Sequence, residues 1–195
     1  QIIDSLIHVK QTLIYCTSKP SPNLPPLSPT QLVNVKDLLH ANNITSKSIT
    51  FEDPTKDRGY ILNKLSEGHY DCVTAVKCLD QGIDIPSVEV AIIMASSGNP
   101  KQYIQRRGRV LRQSQKTGKT KSIIYDILVK PPPPSDDSSI RLRERKLLAR
   151  ELLRHKEFAS IAINKKEAFE KIKETSALYD IDLNALDYDY INEME

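Results

Sequence analysis

Five short β-rich apolar runs, separated by stretches of helical spacing, constrain this chain more than any other feature. The runs are Gln11–Cys16, Ser48–Phe51, Asp71–Val76, Val88–Ala95 and Ser122–Val129. Between the first two, Leu32, Val35, Leu38 and Leu39 recur at helical intervals within Ser28–Asn42. After the second, Asp53 is placed to cap a helix with Pro54 at its first position, and Ile61, Leu62 and Leu65 supply the apolar face. Another helix is expected over Asn99–Leu111. Strands alternating with helices imply an α/β fold, a parallel sheet flanked by helices and joined by right-handed crossovers. Proline interrupts the pattern twice. Lys19–Pro29 holds five prolines and reads as an extended exposed loop. Pro131–Pro134 can continue neither a helix nor a central strand, so it closes the α/β part. The expected organisation is an α/β domain over 1–130, a proline-rich linker over 131–138, a helical extension over 139–178 and an acidic tail over 179–195. In the extension, Ser139–Ile163 and Lys165–Thr175 read as helices, with Leu142, Leu147, Leu148, Leu152, Leu153 and Phe158 as an apolar stripe. A helical appendage is expected there rather than a separate nucleic-acid module.

Composition sets limits on function. With 195 residues, 39% hydrophobic and 27% charged, the chain can build a core and is too apolar for wholesale disorder. No apolar run approaches the ~18 to 20 residues of a membrane span, and residues 1–10 lack a signal-peptide pattern. No membrane partner is therefore expected. Cys16, Cys72 and Cys78 form no CxxC pair, which argues against a zinc site or a disulfide framework and fits a reducing, cytoplasmic setting. The four histidines are scattered, so no metal site is expected. Net charge is +3, but residues 179–195 carry six carboxylates and no Lys or Arg, leaving +9 on the remainder. A basic body with an acidic tail fits either a polyanion partner or an ordinary solubilising surface. Tyr188 and Tyr190 in that tail are partner contacts or, more simply, part of a disordered end.

Chemistry concentrates in Gln105-Arg106-Arg107-Gly108-Arg109-Val110-Leu111-Arg112. On a helix Gln105, Arg109 and Arg112 fall at i, i+4 and i+7, which aims two guanidinium forks and an amide from one face. Guanidinium binds phosphate oxygens bidentately, so such a face suits a triphosphate; a solvated basic helix or a simple nucleic-acid patch has the same spacing. Leu79-Asp80-Gln81-Gly82-Ile83-Asp84-Ile85-Pro86 follows a strand, where α/β proteins place ligands. Gly82 permits close backbone approach, and Asp84 is a short acceptor for ribose hydroxyls or else turn chemistry before Pro86. Thr117-Gly118-Lys119-Thr120 looks like the end of a phosphate loop. Gln113 stands where that loop needs glycine, and the segment precedes a strand, so a solvated loop is expected.

Together with Leu13-Ile14-Tyr15-Cys16-Thr17-Ser18-Lys19, these segments resemble motifs IV, V and VI of superfamily 2 helicases of the DEAD/DEAH type, on the second RecA-like domain. Gly98-Asn99-Pro100-Lys101-Gln102-Tyr103-Ile104, running into the arginine segment, is most similar to the xeroderma pigmentosum group B type and related restriction and phage-defence helicases. The resemblance covers residues 1 to about 130 and implies a RecA-like parallel sheet. It implies that Arg109 and Arg112 are arginine fingers and that Gln105 orders nucleotide and water. Arg106 would support them at the nucleotide, and Gly82 and Asp84 would approach it. Thr17, Ser18, Lys19 and Lys77 would grip a strand's phosphates. Cofactors would be ATP and Mg²⁺, with the phosphate loop and metal ligands on an N-terminal RecA-like domain that this sequence does not contain. The partner would be nucleic acid, DNA before RNA. This stretch taken alone is expected to be inactive. Two positions depart from the pattern: Val76 stands where many relatives have Thr, and Gln81 where an acid is frequent. The competing reading is a non-catalytic scaffold, with the proline runs as polyproline ligands.

Overall fold

A computed structural model describes residues 11–17, 29–76, 78, 88–94, 100–113 and 118–194. Contacts divide them into two compact units, with the chain passing from the first to the second between Ile127 and Leu128; Pro100 groups with the second.

The first unit is a five-stranded parallel sheet. Its strands are β1 (Thr12–Cys16), β2 (Ser46–Thr50), β3 (Cys72–Val76), β4 (Val90–Ile93) and β5 (Ile123–Asp126), in the order β2-β3-β1-β4-β5. The sequence reads these strands well because β1, β3 and β4 are buried throughout, and doubly covered strands appear as continuous apolar runs. Edge strand β2 buries only Ile49 and starts at Ser46 instead of Ser48. Side chains alternate between the faces. Ile14, Cys16, Cys72, Val76, Val90 and Ile92 cluster with Val35 and Leu39 of α1 (Gln31–Ala41). The alternate residues Leu13, Tyr15, Val73, Ala75, Ala91 and Ile93 are buried on the opposite face. Connection β1→β2 runs one way across the sheet, whereas β2→β3, β3→β4 and β4→β5 run the other way. Right-handed crossing therefore assigns α1 to one face, and α2 (Thr55–Ser66) and α3 (Pro100–Val110) to the other. Burial pushes the Cys16 and Cys72 thiols up to about 12, with Asp71 adding to the rise at Cys72, so neither is a nucleophile at neutral pH.

Helix α2 starts differently from expectation. Pro54 occupies the cap position and no side chain caps the helix. The Asp53 carboxylate turns back to β2 instead, accepting the Thr50 N–H at 2.6 Å and the Thr50 hydroxyl at 3.0 Å. A short acidic side chain that can bond a backbone N–H three residues earlier does so at the strand end and is lost to the helix.

The second unit is helical: α4 (Ser138–Ser160), α5 (Lys165–Leu178) and α6 (Tyr188–Glu193). Asp137 caps α4, accepting from the N–H groups of Ser139 (2.8 Å) and Ile140 (3.1 Å). Leu148, Leu152 and Leu153 of α4 share a core with Ile172, Tyr179, Ile181, Leu186, Ile191 and Met194. The acidic end, expected to be disordered, is thus part of a core. Its carboxylates at Asp180, Asp182, Asp187, Asp189 and Glu193 are exposed, while Ile181, Leu186 and Ile191 between them are buried. Their spacing follows turns rather than one helical or strand period, so no periodicity reveals them. The proline run also belongs to this unit: Pro131 is buried, and the Tyr179 hydroxyl donates to the Pro132 carbonyl. Among the described residues, no helix is long and apolar enough to cross a membrane.

Candidate functional site

The parallel register puts all strand ends at common edges. At the carboxyl edge, Cys16 lies opposite Val76, and Tyr15 opposite Ile93. Strand β1 leaves toward one face and its neighbours β3 and β4 toward the other, so the crevice at such a switch point opens beyond Cys16. Thr17 sits there, half-buried. Its N–H donates to Gln31 Oε1 at 2.9 Å, and its carbonyl accepts the Leu32 N–H at 3.2 Å. The carbonyl thereby satisfies one of the unpaired donors of the first turn of α1. The Thr17 amide is committed to the fold, so phosphate binding by backbone N–H groups cannot start at this residue. Gln31, which the sequence reading passed over, is what binds it. Ser18, Lys19, Lys77, Gly82 and Asp84 lie outside the described residues.

The arginine segment lies elsewhere. Helix α3 must return across the sheet to let β5 run parallel to β4, so its last turn points to the amino edge. Eleven residues of helix rise about 16 Å. Arg109 and Arg112 are therefore at the opposite edge from Thr17. Gln105 and Arg109 are one turn apart on α3, the first exposed and the second half-buried. Arg112 does not share the helix: the last helical residue is Val110. The Leu111 N–H still bonds the Arg107 carbonyl at 3.0 Å, and the Arg112 N–H tightens onto the Arg109 carbonyl at 3.3 Å. Helical periodicity therefore does not set the direction of Arg112, which is exposed. The side chain of Arg106 lies outside the described part.

What ends α3 was not legible in the sequence. Val110 is 2% exposed, and its carbonyl accepts two side chains, Lys119 Nζ at 2.5 Å and Ser122 Oγ at 2.7 Å. The expectation of a solvated loop at Thr117–Thr120 is thus corrected at Lys119, which is only 6% exposed. Burial lowers its pKa, and the carboxylate of Glu89 opposes that shift. Gly118 has φ of +69°, a left-handed turn residue leading into the buried lysine. The Gly-Lys pair serves a turn and a helix end. It does not form a phosphate loop.

Over residues 104–110 the donor set of α3 is guanidinium and amide, and the helix has no carboxylate. That chemistry fits phosphate oxygens. It does not fit Mg²⁺, which needs oxygen ligands; among the described residues no three His, Cys, Asp or Glu side chains come together to hold a metal.

Known proteins are similar to this chain in sequence and in fold. The family model described as helicase conserved C-terminal domain matches residues 1–114. A protein described as DNA 3'-5' translocase XPB2, from Sulfurisphaera tokodaii, is 32% identical over 82 residues, covering 42% of this chain and 18% of that protein. UvrABC system protein B from Ureaplasma parvum serovar 3 is 30% identical over 86 residues, covering 42% of this chain and 13% of that protein. The match thus spans less than a fifth of either relative. Among solved structures, the C-terminal domain of the DEAD-box protein Dbp5 gives a TM-score of 0.52 at 18% identity, covering 89% of this chain and 86% of that one. The C-terminal part of the Fun30 ATPase domain gives 0.50 at 16% identity, covering 92% and 50%. These likenesses show the fold: a RecA-like sheet with helices at the carboxyl end.

Proposed function

Because this chain belongs to the helicase conserved C-terminal domain family, we propose that it is the second RecA-like half of a superfamily 2 ATP-driven nucleic-acid helicase or translocase. Its RecA-like part is read as residues 1–130, with the remainder an appended extension. ATP with Mg²⁺, when bound, supplies the phosphoryl transfer that powers strand movement. This chain's residues bind and orient. Arg109 and Arg112 offer planar forks to terminal phosphate oxygens, and Gln105 offers an amide beside them. Arg106, Gly82 and Asp84 complete the nucleotide side. Thr17, Ser18, Lys19 and Lys77 hold a strand's phosphates, where cations and hydroxyls meet what those oxygens require. The Mg²⁺ ligands and phosphate loop come from a first RecA-like domain. DNA is favoured over RNA by the relative described as a DNA translocase.

The observation that carries this reading is the separation of the two groups. The arginine-bearing end of α3, a helix with no carboxylate, lies at the amino end of the sheet, and the segment that follows β1 begins at the carboxyl end, which supports phosphate contacts of two kinds. A scaffold surface has no need for that division. The test compares this chain alone with the protein carrying both RecA-like domains. The chain alone should show no ATP turnover and should bind single strands weakly, with affinity falling steeply as salt rises. Adding the first domain should restore turnover that nucleic acid stimulates. Turnover by the chain alone, abolished by Arg112→Ala, contradicts the shared site; strand binding that ignores salt contradicts the phosphate grip.

A further inference from the structure

Three described helices end in two different ways. Helix α1 closes on Asn43 in the left-handed region (φ +56°), with the Ile44 N–H returned to the Leu39 carbonyl at 3.0 Å. Helix α5 closes the same way on Asp180 (φ +52°), with the Ile181 N–H on the Ser176 carbonyl at 2.9 Å. That is the usual economy of a helix end, in which the chain reverses and its own N–H groups satisfy the last carbonyls. Among the described residues 111–113 that follow α3, none is left-handed. Its last carbonyl is held from outside, by a buried ammonium and a hydroxyl that come nine and twelve residues later.

Burying an ammonium is costly unless it is paired and hydrogen-bonded, and an apolar side chain of similar length would fill the same space without that cost. What the ammonium adds is a fixed point. The peptide it holds is the one joining Val110 to Leu111, the step between Arg109 and Arg112. The same ammonium sits at the negative end of the helix dipole and near the Glu89 carboxylate at the start of β4. Ser122 precedes β5, whose first N–H, that of Ile123, bonds the Glu89 carbonyl at 2.9 Å. The clamp is therefore built on the two strands that flank the return of α3, which are rigid elements. Lys119 and Ser122 also lie beyond the stretch that the family model matches.

We infer that Lys119, supported by Ser122, is a positioning residue: by holding the Val110 carbonyl it fixes how the chain leaves α3 and so the placement of Arg112 relative to Arg109. This rests on the reading of those arginines as phosphate-binding groups. A displacement of about 1 Å in such a constellation can cost up to ~10²-fold in rate, so a clamp two residues from Arg112 has a measurable consequence.

The test has two readouts. In this chain, Lys119→Met should raise amide hydrogen exchange at Leu111 and Arg112 by about 10-fold or more, as a released helix end frays, and leave the middle of α3 unchanged. In the two-domain protein, Lys119→Met should lower kcat by about 10-fold with KM for ATP little changed. Combined with Arg112→Ala it should lower kcat no further, because its effect passes through Arg112. Ser122→Ala, which removes one donor without touching a buried charge, should move both readouts in the same direction by less, and it decides the matter if Lys119→Met does not fold. Unchanged exchange at Leu111 and Arg112 in either variant overturns the clamp, as does a kcat loss that adds in full to that of Arg112→Ala. Wild-type turnover in Arg112→Ala overturns the nucleotide reading instead, and the exchange measurement still decides whether Lys119 sets the helix end.

Discussion

Helices α3 and α4 are both rich in arginine, and they use it in opposite ways. Helix α4 interleaves its cations with Glu144, Glu151 and Glu157, and several of them serve the fold of their own unit. Arg141 pairs with Asp180 at 2.9 Å, and Arg145 donates to the Asp180 carbonyl at 2.6 Å. Arg154 forms a two-point bond to Glu151 at 3.0 and 2.9 Å, and Glu151 also accepts the Val129 N–H at 3.2 Å. Lys156 donates to the Leu186 carbonyl at 2.9 Å. Helix α3 has no carboxylate, and its last carbonyl accepts a lysine from another segment. The number of arginines therefore does not mark a site; the acids placed among them do. In α4 the guanidinium groups hold helix to turn, whereas the end of α3 is held by Lys119 and Ser122 from a later segment.

The contrast can be broken first in α4. Arg154 is 5% exposed and Glu151 20%, so Arg154→Met should cost about 2–3 kcal/mol by leaving a largely buried carboxylate without its partner, at the lower end for such pairs because Glu151 keeps some contact with water. Denaturant midpoints read this directly. A change below about 0.5 kcal/mol would place Arg154 with ordinary surface arginines and erase the difference between the helices.

A smaller effect sharpens the same contrast through pH. The Ser139 hydroxyl, then the Ile140 and Ser139 N–H groups, hold the Asp137 carboxyl below the usual carboxylate range. Since the folded value is the lower one, the cap's contribution is fully present above the unfolded value of about 4 and is lost as pH falls through the folded value. Asp137→Asn should therefore be less stable than the wild type at pH 6, with the gap narrowing as pH falls below about 4. A gap that does not change with pH would mean that the carboxylate's charge plays no part in starting α4.

Much of the first unit was legible because its strands are buried on both faces and appear as unbroken apolar runs; β3 at Cys72–Val76 needs little more than that. The helix that carries the arginine segment was legible too, and it spans Pro100–Val110. The missing parts depend on partners distant in sequence. Lys119 looks like loop chemistry until the Val110 carbonyl, nine residues away, is brought to it. Gln31 reaches Thr17 across fourteen residues that include the proline-rich segment. The ordered end from Tyr179 to Met194 hid its inward Ile181, Leu186 and Ile191 among acids at intervals that match no regular period. Arg112 lies past the end of α3 at Val110, so i+7 spacing, which assumes a helix that continues, does not by itself set its direction.

The proposed nucleotide site requires the forks of Arg109 and Arg112, and not merely their charge. Lysine keeps the charge and loses the planar two-point geometry. In the protein carrying both RecA-like domains, Arg109→Lys and Arg112→Lys should each reduce nucleic-acid-stimulated ATP turnover by ~10²-fold or more, since arginine fingers contribute more than that elsewhere. Ground-state nucleotide affinity and the thermal midpoint should change little. Turnover near that of the wild type in both variants would contradict the account and remove both arginines from the nucleotide site.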